Sequence, residues 1–160
     1  MPTAYLGLGS NLAEPAVQVR QAINTIAQLE QSHISAVSSL YRSLPMGPTD
    51  QPDYINAVLA LNTNLAPLQL LDALQAIELA AGRTRKGERW GARILDLDVL
   101  LYGDIIINTE RLVVPHYGLQ QRAFVLLPLA EIAPNLQLPD GSKLTQLIKN
   151  ISTNGLTKLE

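Results

Sequence analysis

The segment from Leu95 to Leu101, with the sequence L-D-L-D-V-L-L, places the strongest constraint on how this chain can fold. Apolar residues alternate with two aspartates and then run on without interruption, which is typical of a buried β-strand. Residues i and i+2 of a strand project from the same face, so Asp96 and Asp98 lie on one face, about 6.6 Å apart along the strand. The apolar residues beside them take the opposite face into a core, and the sheet must present two carboxylates at one surface.

The strand alone leaves two interpretations of the aspartate pair open. In the first, the strand lies at the edge of a sheet and its acidic face is solvated. In the second, a divalent cation lies between the carboxylates and offsets their mutual repulsion. The apolar flanks favour the second. Because the chain has no cysteine and only two histidines, such a cation needs oxygen ligands, which indicates Mg²⁺ or Mn²⁺.

Apolar periodicity and turn residues elsewhere predict an α+β fold. The predicted order is strand–helix–strand–strand–helix–strand, with strands over residues 3–8, 34–41, 54–62 and 95–101 and helices that begin at Pro15 and Pro67. A hairpin partner over 105–107 and apolar segments over 124–132 and 144–148 follow. We therefore expect a ferredoxin-like βαββαβ sandwich with an added β-hairpin strand and C-terminal helical segments. Because no linker interrupts residues 1–160, we expect a single domain.

Composition argues against several classes of protein. With 47% hydrophobic and 16% charged residues, the chain can bury a core and is not expected to be disordered. Its net charge of −2 argues against a general nucleic-acid binder. No apolar run approaches the roughly 18 residues of a membrane helix, and the start, M-P-T-A-Y-L-G-L-G-S-N, lacks the pattern of a signal peptide. We expect a cytoplasmic protein with no membrane or nucleic-acid partner.

The basic residues concentrate just before the aspartate pair. Five of the 12 lysines and arginines fall within residues 83–93. An isolated run of this kind is usually a solvated loop, but cations beside an acidic metal pair indicate a polyphosphate, whose oxygens bind both Mg²⁺ and arginine. A third interpretation is a ferredoxin-like module that binds single-stranded nucleic acid through this loop and Trp90. The scarcity of aromatic residues, 4% of the chain, weighs against it.

Other phosphate signals are weak. The segment Gly7-Leu8-Gly9 lacks the third glycine of a dinucleotide fingerprint, and we interpret it as part of a turn that ends the first strand. The chain has no P-loop motif. His116 and Arg122 could contact phosphate from a loop, although a lone histidine is more often structural.

Two further pairs have ordinary interpretations when taken alone. Gln75 and Glu78 lie one turn apart on the second helix, which is typical of a solvated pair. Tyr54 and Phe124 are more often core residues than ligand platforms.

The stretch R-W-G-A-R-I-L-D-L-D-V-L-L over residues 89–101 closely resembles the signature of the 6-hydroxymethyl-7,8-dihydropterin pyrophosphokinase family. The likeness continues through G-L-G-S-N-L, G-P-T-D-Q-P-D-Y-I-N-A-V, I-E-L-x-x-G-R-x-R, V-P-H-Y and R-A-F-V-L-L-P-L-x-E-I-A-P. These motifs stand in the same order and with similar spacing over nearly the whole chain.

This resemblance implies a ferredoxin-like fold and an enzyme of folate biosynthesis. It implies transfer of pyrophosphate from ATP to the hydroxymethyl group of a dihydropterin, with release of AMP. Asp96 and Asp98 then bind two Mg²⁺ ions, with Mn²⁺ as an alternative, and ATP and the pterin are the partners of a monomeric protein. The aspartates together with Arg83 and Arg93 are the implied catalytic residues.

The resemblance also implies two binding sites. The ATP-contacting positions are Gln75, Glu78, Arg85, Trp90, Arg93, Val99, Arg111, His116, Tyr117 and Arg122. The pterin-contacting positions are Ser43, Leu44, Met46, Tyr54, Asn56, Trp90 and Phe124.

Three residues depart from the usual family pattern. Ala92 stands where the family often has proline, which is expected to leave the arginine loop somewhat freer. Leu44 replaces a frequent proline in the first flexible loop. Val113 replaces a polar residue near the nucleotide, so it can offer only backbone hydrogen bonds there. None of the three is a metal or transfer residue. A degenerate ATP-binding protein without transfer activity is therefore not expected.

Overall fold

The computed structural model of this protein combines an antiparallel sheet with α-helices. It describes residues 1–11, 14–44, 53–82 and 95–159. The strands are β1 (Thr3–Ser10), β2 (Ser32–Val37), β3 (Tyr41–Ser43), β4 (Tyr54–Thr63), β5 (Asp96–Tyr102), β6 (Ile107–Asn108), β7 (Val113–Val114) and β8 (Thr157–Lys158). The α-helices in these ranges are α1 (Pro15–Ile26), α2 (Pro67–Ala80), α3 (Ala123–Ile132) and α4 (Leu144–Lys149). Proline opens α1 and α2, as its fixed φ and missing N–H favour at a first helical position. None of the described helices is long and apolar enough to cross a membrane.

The main sheet has the strand order β5-β1-β4-β3-β8, and β2 also pairs with β4. Strand β1 lies between β4 and β5 and is antiparallel to both. Strand β4 is buried over nearly its whole length, as its interior position requires. The two strands that carry the main sequence motifs, β1 and β5, are therefore neighbours.

The two faces of the sheet are covered by different helices. Helices α1 and α2 pack on one face in a first core, where Leu6, Leu59 and Leu97 meet Ile26 and Leu74. Helices α3 and α4 pack on the other face in a second core, whose buried members are Val58, Leu100, Leu101, Leu119, Val125, Leu126, Leu129, Leu138 and Leu144. A cleft lies beside α3 on this second face of the sheet.

A bulge in β5 changes which residues face the second core. Tyr5 of β1 is opposite Leu101, whereas Leu6 is opposite Val99, so Leu100 is the extra residue. Leu100 and Leu101 consequently both pack in the second core. The bulge ends the simple alternation directly after the aspartate pair.

Most predicted elements are confirmed, with shifts at their ends. The apolar segments 124–132 and 144–148 are helices α3 and α4. The segment predicted as one strand over 34–41 is two strands, β2 and β3, because Ser38 interrupts the ladder. The Ser38 hydroxyl accepts the Val58 N–H at 2.9 Å, and the Ser38 N–H donates to the Val58 carbonyl at 2.9 Å.

Two predictions about connections are wrong. The hairpin partner of the fourth predicted strand, placed at 105–107, is instead β6, which pairs with β7 in a separate two-stranded sheet. The turn predicted over Gly7-Leu8-Gly9 is a continuous part of β1, held by ladder pairing to β4 and β5 on both sides. The local turn preference of glycine is overridden there by neighbouring strands.

Candidate active site

A cleft of about 260 Å³ lies on the α3 face of the sheet, over the ends of β1, β4 and β5. Strand, loop and helix residues from distant parts of the sequence line it: Gly7, Leu8, Gly9, Ser43, Leu44, Tyr54, Asn56, Ala57, Val58, Asp96, Asp98, Leu100, His116, Tyr117, Arg122, Phe124 and Val125. Ten of these residues, all but the glycines, Leu8, Ala57, Val58, Leu100 and Val125, were expected from the sequence as site residues.

The floor of the cleft is built from glycine and aspartate in register. Gly7 is opposite Asp98 and Gly9 is opposite Asp96, while Gly9 is also opposite Asn56 on β4. Without side chains at the glycines, the backbone of β1 is open to a ligand beside the two carboxylates. The sequence interpretation missed this role, although glycine inside a strand is the signal that could have indicated it.

The aspartates share one face, as predicted, and both are partly exposed while Leu97 and Val99 between and beyond them are buried. No group of three or more potential metal ligands occurs among the described residues. Magnesium is commonly bound through one or two carboxylates together with substrate phosphates and waters, so this pair of oxygen ligands fits it. Strand β5 is the end strand of the main sheet in the described residues, as the edge-strand interpretation expected, but its acidic face borders the cleft.

His116 lies over the aspartates from the loop after β7. Its N–H donates to the Leu100 carbonyl at 3.0 Å, and its Nε2 lies 3.8 Å from Asp98 Oδ2. The Gly118 N–H donates to Nδ1 at 3.1 Å, which leaves the ring proton on Nε2, toward Asp98. Burial lowers the pKa of His116, and the Arg122 charge acts in the same direction while Asp98 opposes both. The ring is therefore neutral near pH 7.

Three side chains form one wall of the cleft beside His116. The ring of Tyr117 stacks on His116 with centroids 4.6 Å apart. The Arg122 guanidinium carbon lies 5.3 Å from the Tyr117 centroid and 5.7 Å from that of Phe124. This places a cation between two aromatic faces at the N-terminal end of α3.

A buried polar pair forms a second wall of the cleft. The Ser43 hydroxyl donates to Asn56 Oδ1 at 2.6 Å, and both residues are about 7% exposed. This bond orients the Asn56 amide so that its Nδ2 points toward Gly9, where an added Cβ would lie 3.0 Å away. Tyr54 and the exposed Leu44 border the same wall.

Four of the positions expected to contact ATP do not line this cleft. Val99 is buried in the first core. The Arg111 side chain is held against α2, because its Nη2 donates to Asp72 Oδ1 at 2.6 Å and to Gln75 Oε1 at 3.4 Å. Glu78 is not the solvated residue that its spacing suggested: it is 5% exposed and accepts the Leu97 N–H at 2.8 Å. The contact ties α2 to β5 midway between the two aspartates.

The remaining predicted site residues lie outside the described ranges. They are Met46, Arg83, Arg85, Trp90 and Arg93, as is the departure at Ala92.

Comparison with known proteins gives one consistent result. A profile of the 7,8-dihydro-6-hydroxymethylpterin-pyrophosphokinase family matches residues 5–134. A 2-amino-4-hydroxy-6-hydroxymethyldihydropteridine pyrophosphokinase of Pseudomonas aeruginosa is 54% identical over 97% of this chain and 95% of its own. The protein of the same name from Haemophilus influenzae is 51% identical over 99% of both chains.

The fold has solved counterparts. A crystal structure of Plasmodium falciparum HPPK-DHPS superposes with a TM-score of 0.72 over 99% of this chain, at 14% sequence identity. The chain spans about half of that longer protein, 47% of its length. At this identity the likeness concerns the fold. The sequence matches go further, and this chain belongs to the 7,8-dihydro-6-hydroxymethylpterin-pyrophosphokinase family.

Proposed function

We propose that the protein transfers the β,γ-pyrophosphoryl group of ATP to 6-hydroxymethyl-7,8-dihydropterin, forming AMP and the pterin diphosphate in folate biosynthesis. Family membership and relatives at 54% and 51% identity support this activity. The observation that carries the proposal is the convergence, in one cleft, of the aspartate pair with the buried Ser43–Asn56 pair. The aspartate pair suits metal-bound phosphate, and the Ser43–Asn56 pair suits a flat heterocycle.

The pterin is proposed to bind between the two walls of the cleft. Phe124 and Tyr54 offer aromatic faces, and the Asn56 amide can both donate and accept hydrogen bonds, which a pterin ring edge requires. Because Asn56 Oδ1 already accepts from Ser43, its orientation is set before the substrate arrives. Leu44 and, from outside the described ranges, Met46 and Trp90 are proposed to complete this subsite.

ATP is proposed to approach the aspartates from the side of His116, Tyr117 and Arg122. Asp96 and Asp98 would hold two Mg²⁺ ions, or Mn²⁺, which supply charge neutralisation for the phosphates and lower the pKa of the attacking hydroxyl. Arg111 with Gln75 on α2 is proposed to contact the nucleotide farther out. Arg85 and the backbone at Val99 are assigned to the same substrate by family resemblance, as is Glu78.

In the proposed reaction the pterin hydroxyl oxygen forms a bond to the β-phosphorus, the bond from that phosphorus to the α-phosphate oxygen breaks, and the hydroxyl proton is lost. AMP leaves with the bridging oxygen. The fixed tautomer of His116 lets its Nε2–H donate to a phosphate oxygen or to Asp98. Arg122, with Arg83 and Arg93, is proposed to stabilise negative charge on the transferring and leaving groups.

The same family likeness supports broader proposals. The order β5-β1-β4-β2, with helices α1 and α2 on one face, matches what a ferredoxin-like βαββαβ core requires, and β3, β8 and the β6–β7 hairpin are then additions. We propose that residues 1–160 form one pterin pyrophosphokinase domain, that it acts as a monomer, and that it is cytoplasmic.

A nucleic-acid-binding module using residues 83–93 is not favoured. Such a module needs stacking aromatic side chains along its sheet, whereas β5 presents Asp96 and Asp98 to the cleft. Carboxylates at that position repel a phosphate backbone unless cations intervene.

The experiment that tests the activity is incubation with Mg-ATP and 6-hydroxymethyl-7,8-dihydropterin, followed by chromatography of nucleotides and pterins. AMP is expected to form in equal amount with a pterin diphosphate. Formation of ADP with a pterin monophosphate would instead identify an ordinary kinase and overturn the proposal.

A further inference from the structure

The carboxylate of Glu131, near the end of α3, receives three hydrogen bonds from the start of β3. The Ser39 N–H and the Ser39 hydroxyl each donate to Oε2 at 2.9 Å, and the Tyr41 hydroxyl donates to Oε1 at 2.7 Å. The Glu131 side chain is 27% exposed, and the Tyr41 ring is buried. Both carboxylate oxygens are therefore engaged by donors from one short segment.

This set of donors suits a carboxylate better than its amide. An amide can accept from both Ser39 donors only if the Tyr41 hydroxyl reverses its role and accepts from the NH₂ group. The main-chain N–H of Ser39 cannot reverse its role. Hydrogen bonds to an ionised acceptor are also stronger than those to a neutral one, so the site favours an ionised glutamate.

The two elements joined by Glu131 each carry one wall of the cleft. Phe124 lies about two helical turns before Glu131 on α3 and lines the cleft. Strand β3 ends at Ser43, which lines the second wall and bonds to Asn56. Tyr41 is itself the ladder partner of Asn56. The separation of the two walls therefore depends on how α3 is fixed against β3.

The C-terminal strand fixes the same segment from its outer side. Strand β8 pairs with Tyr41 and Arg42, and the Leu159 N–H donates to the Leu40 carbonyl at 2.8 Å. The Lys158 Nζ lies 4.0 Å from Glu131 Oε1. Strand β3 is short, and it is held between β4, β8 and the carboxylate of Glu131.

We propose that Glu131 is a positioning residue for the pterin subsite, acting through Ser39 and Tyr41 to set the distance between Phe124 and the Ser43–Asn56 pair. The inference rests on the proposed function of the cleft. Glu131 does not itself line the cleft, and the Ser43–Asn56 pair is assigned to the pterin alone, so removal of Glu131 is expected to weaken pterin binding more than ATP binding. A residue needed only for stability would not separate the two substrates.

The test compares Glu131→Gln, Tyr41→Phe and the double variant with wild type. A matched control is Asp140→Asn, which alters another carboxylate with hydrogen bonds from Ser142 and Gln120 but outside the cleft. Calorimetry would measure the dissociation constant of the dihydropterin in saturating Mg²⁺ and α,β-methylene-ATP, whose methylene bridge prevents the proposed cleavage. The affinity for the nucleotide analogue and the KM values for both substrates would be measured in parallel.

Glu131→Gln is expected to raise the pterin dissociation constant about tenfold, because the hydrogen bonds from Ser39 and Tyr41 lose their charged acceptor. Tyr41→Phe is expected to raise it less, and the double variant no more than Glu131→Gln, because both changes break one connection. Nucleotide affinity should change less than pterin affinity, and Asp140→Asn should leave both affinities at the wild-type values. If Glu131→Gln does not fold, Tyr41→Phe alone carries the test.

Two negative results have different meanings. If the wild-type protein binds the dihydropterin and the folded variants bind it with unchanged affinity, this inference alone is overturned. The same holds if the variants lose affinity for both substrates equally. Wild-type protein that binds no dihydropterin and forms no AMP overturns the proposed function, and this inference with it.

Discussion

Asp98 and His116, which are 18 residues apart in the sequence, face each other across 3.8 Å between Oδ2 and Nε2. The backbone bond from His116 N–H to the Leu100 carbonyl anchors the loop to the strand that carries Asp98. The second aspartate, Asp96, lies on the same face of β5 and lines the same cleft. The acidic pair therefore lines the cleft and lies on the opposite face of β5 from the buried Leu97 and Val99.

The first prediction follows from that separation of site and core. Asp96→Ala and Asp98→Ala are each expected to fold normally, because the buried residues of β5 are unchanged. Activity should fall by on the order of 10³-fold or more, since groups that act as a unit lose function together. Thermal unfolding and Mg²⁺-dependent AMP formation would be measured on both variants.

Asp104→Ala is the control for this prediction. Asp104 is exposed just beyond β5 and does not line the cleft, so activity should stay at the wild-type level. Folded aspartate variants that transfer pyrophosphate at wild-type rates would contradict the metal-site assignment. Variants that fail to fold would show the pair to be structural.

The second prediction concerns the glycine floor. A Cβ at Gly9 would lie 3.0 Å from Asn56 Nδ2, so Gly9→Ala must push the amide aside by a few tenths of an ångström and strain its bond with Ser43. We expect a pterin KM about tenfold higher, comparable to loss of one hydrogen bond, with the ATP KM less affected. Steady-state kinetics with each substrate varied in turn would measure the difference.

Gly7→Ala provides the comparison for Gly9→Ala. The nearest atoms to a Cβ at Gly7 belong to the flexible Leu100 side chain, at 3.4 Å. Its effect on the pterin KM is expected to be smaller. Equal effects of the two substitutions would indicate that general crowding of the floor, and not the Asn56 amide, decides pterin binding.

The third prediction concerns Glu78, which is buried and accepts the Leu97 N–H at 2.8 Å. Glu78→Ala leaves that N–H without this partner between the two aspartates, and should lower the free energy of unfolding by about 2 kcal/mol. Glu78→Gln keeps an acceptor and should lower it less. Urea unfolding monitored by circular dichroism would measure both.

Asp72→Ala is the matched control on the same helix. Its carboxylate is 62% exposed and pairs with Arg111 at the surface, so the free energy of unfolding should change by less than about 1 kcal/mol. A loss as large as that of Glu78→Ala would mean that burial of the carboxylate on α2 is not what matters.

Short-range periodicity predicted the strand over 95–101 and the shared face of its aspartates, because both depend on neighbours within one strand. The same reasoning failed where contacts with residues distant in the sequence determine the local structure or the burial of a side chain. Gly7 and Gly9 prefer turns locally, but pairing with β4 and β5 keeps them in a strand. Glu78 has the spacing of a solvated residue, and only the docking of α2 against β5 buries it.

The role of Glu131 could not be predicted for a related reason. Glu131 is the glutamate of the family motif R-A-F-V-L-L-P-L-x-E-I-A-P. No local pattern indicates its partners, because its donors Ser39 and Tyr41 are 92 and 90 residues away in the sequence. The break between β2 and β3 likewise depends on the Ser38 hydroxyl meeting Val58. Family resemblance identified the cleft residues, whereas such supporting contacts needed the fold.

The last prediction uses the pKa of Glu131. Burial alone would raise it, but the hydrogen bonds from Tyr41 and Ser39, with Lys158 nearby, outweigh burial and hold the pKa below its ordinary value of 4.5. A carboxyl whose pKa is lower in the folded state stabilises the fold above its unfolded-state pKa, and this contribution disappears as the pH falls through the folded-state pKa.

Glu131→Gln lacks the titrating group. The difference in free energy of unfolding between wild type and Glu131→Gln should therefore be constant near neutral pH and shrink as the pH falls below about 4.5. Urea unfolding from pH 7 to pH 3 would measure this difference. Tyr41→Phe removes one of the hydrogen bonds that lower the pKa of Glu131, so this variant should lose less stability over the same pH range than wild type. A difference that stays constant over the whole range would mean that the carboxylate charge of Glu131 does not hold α3 against β3.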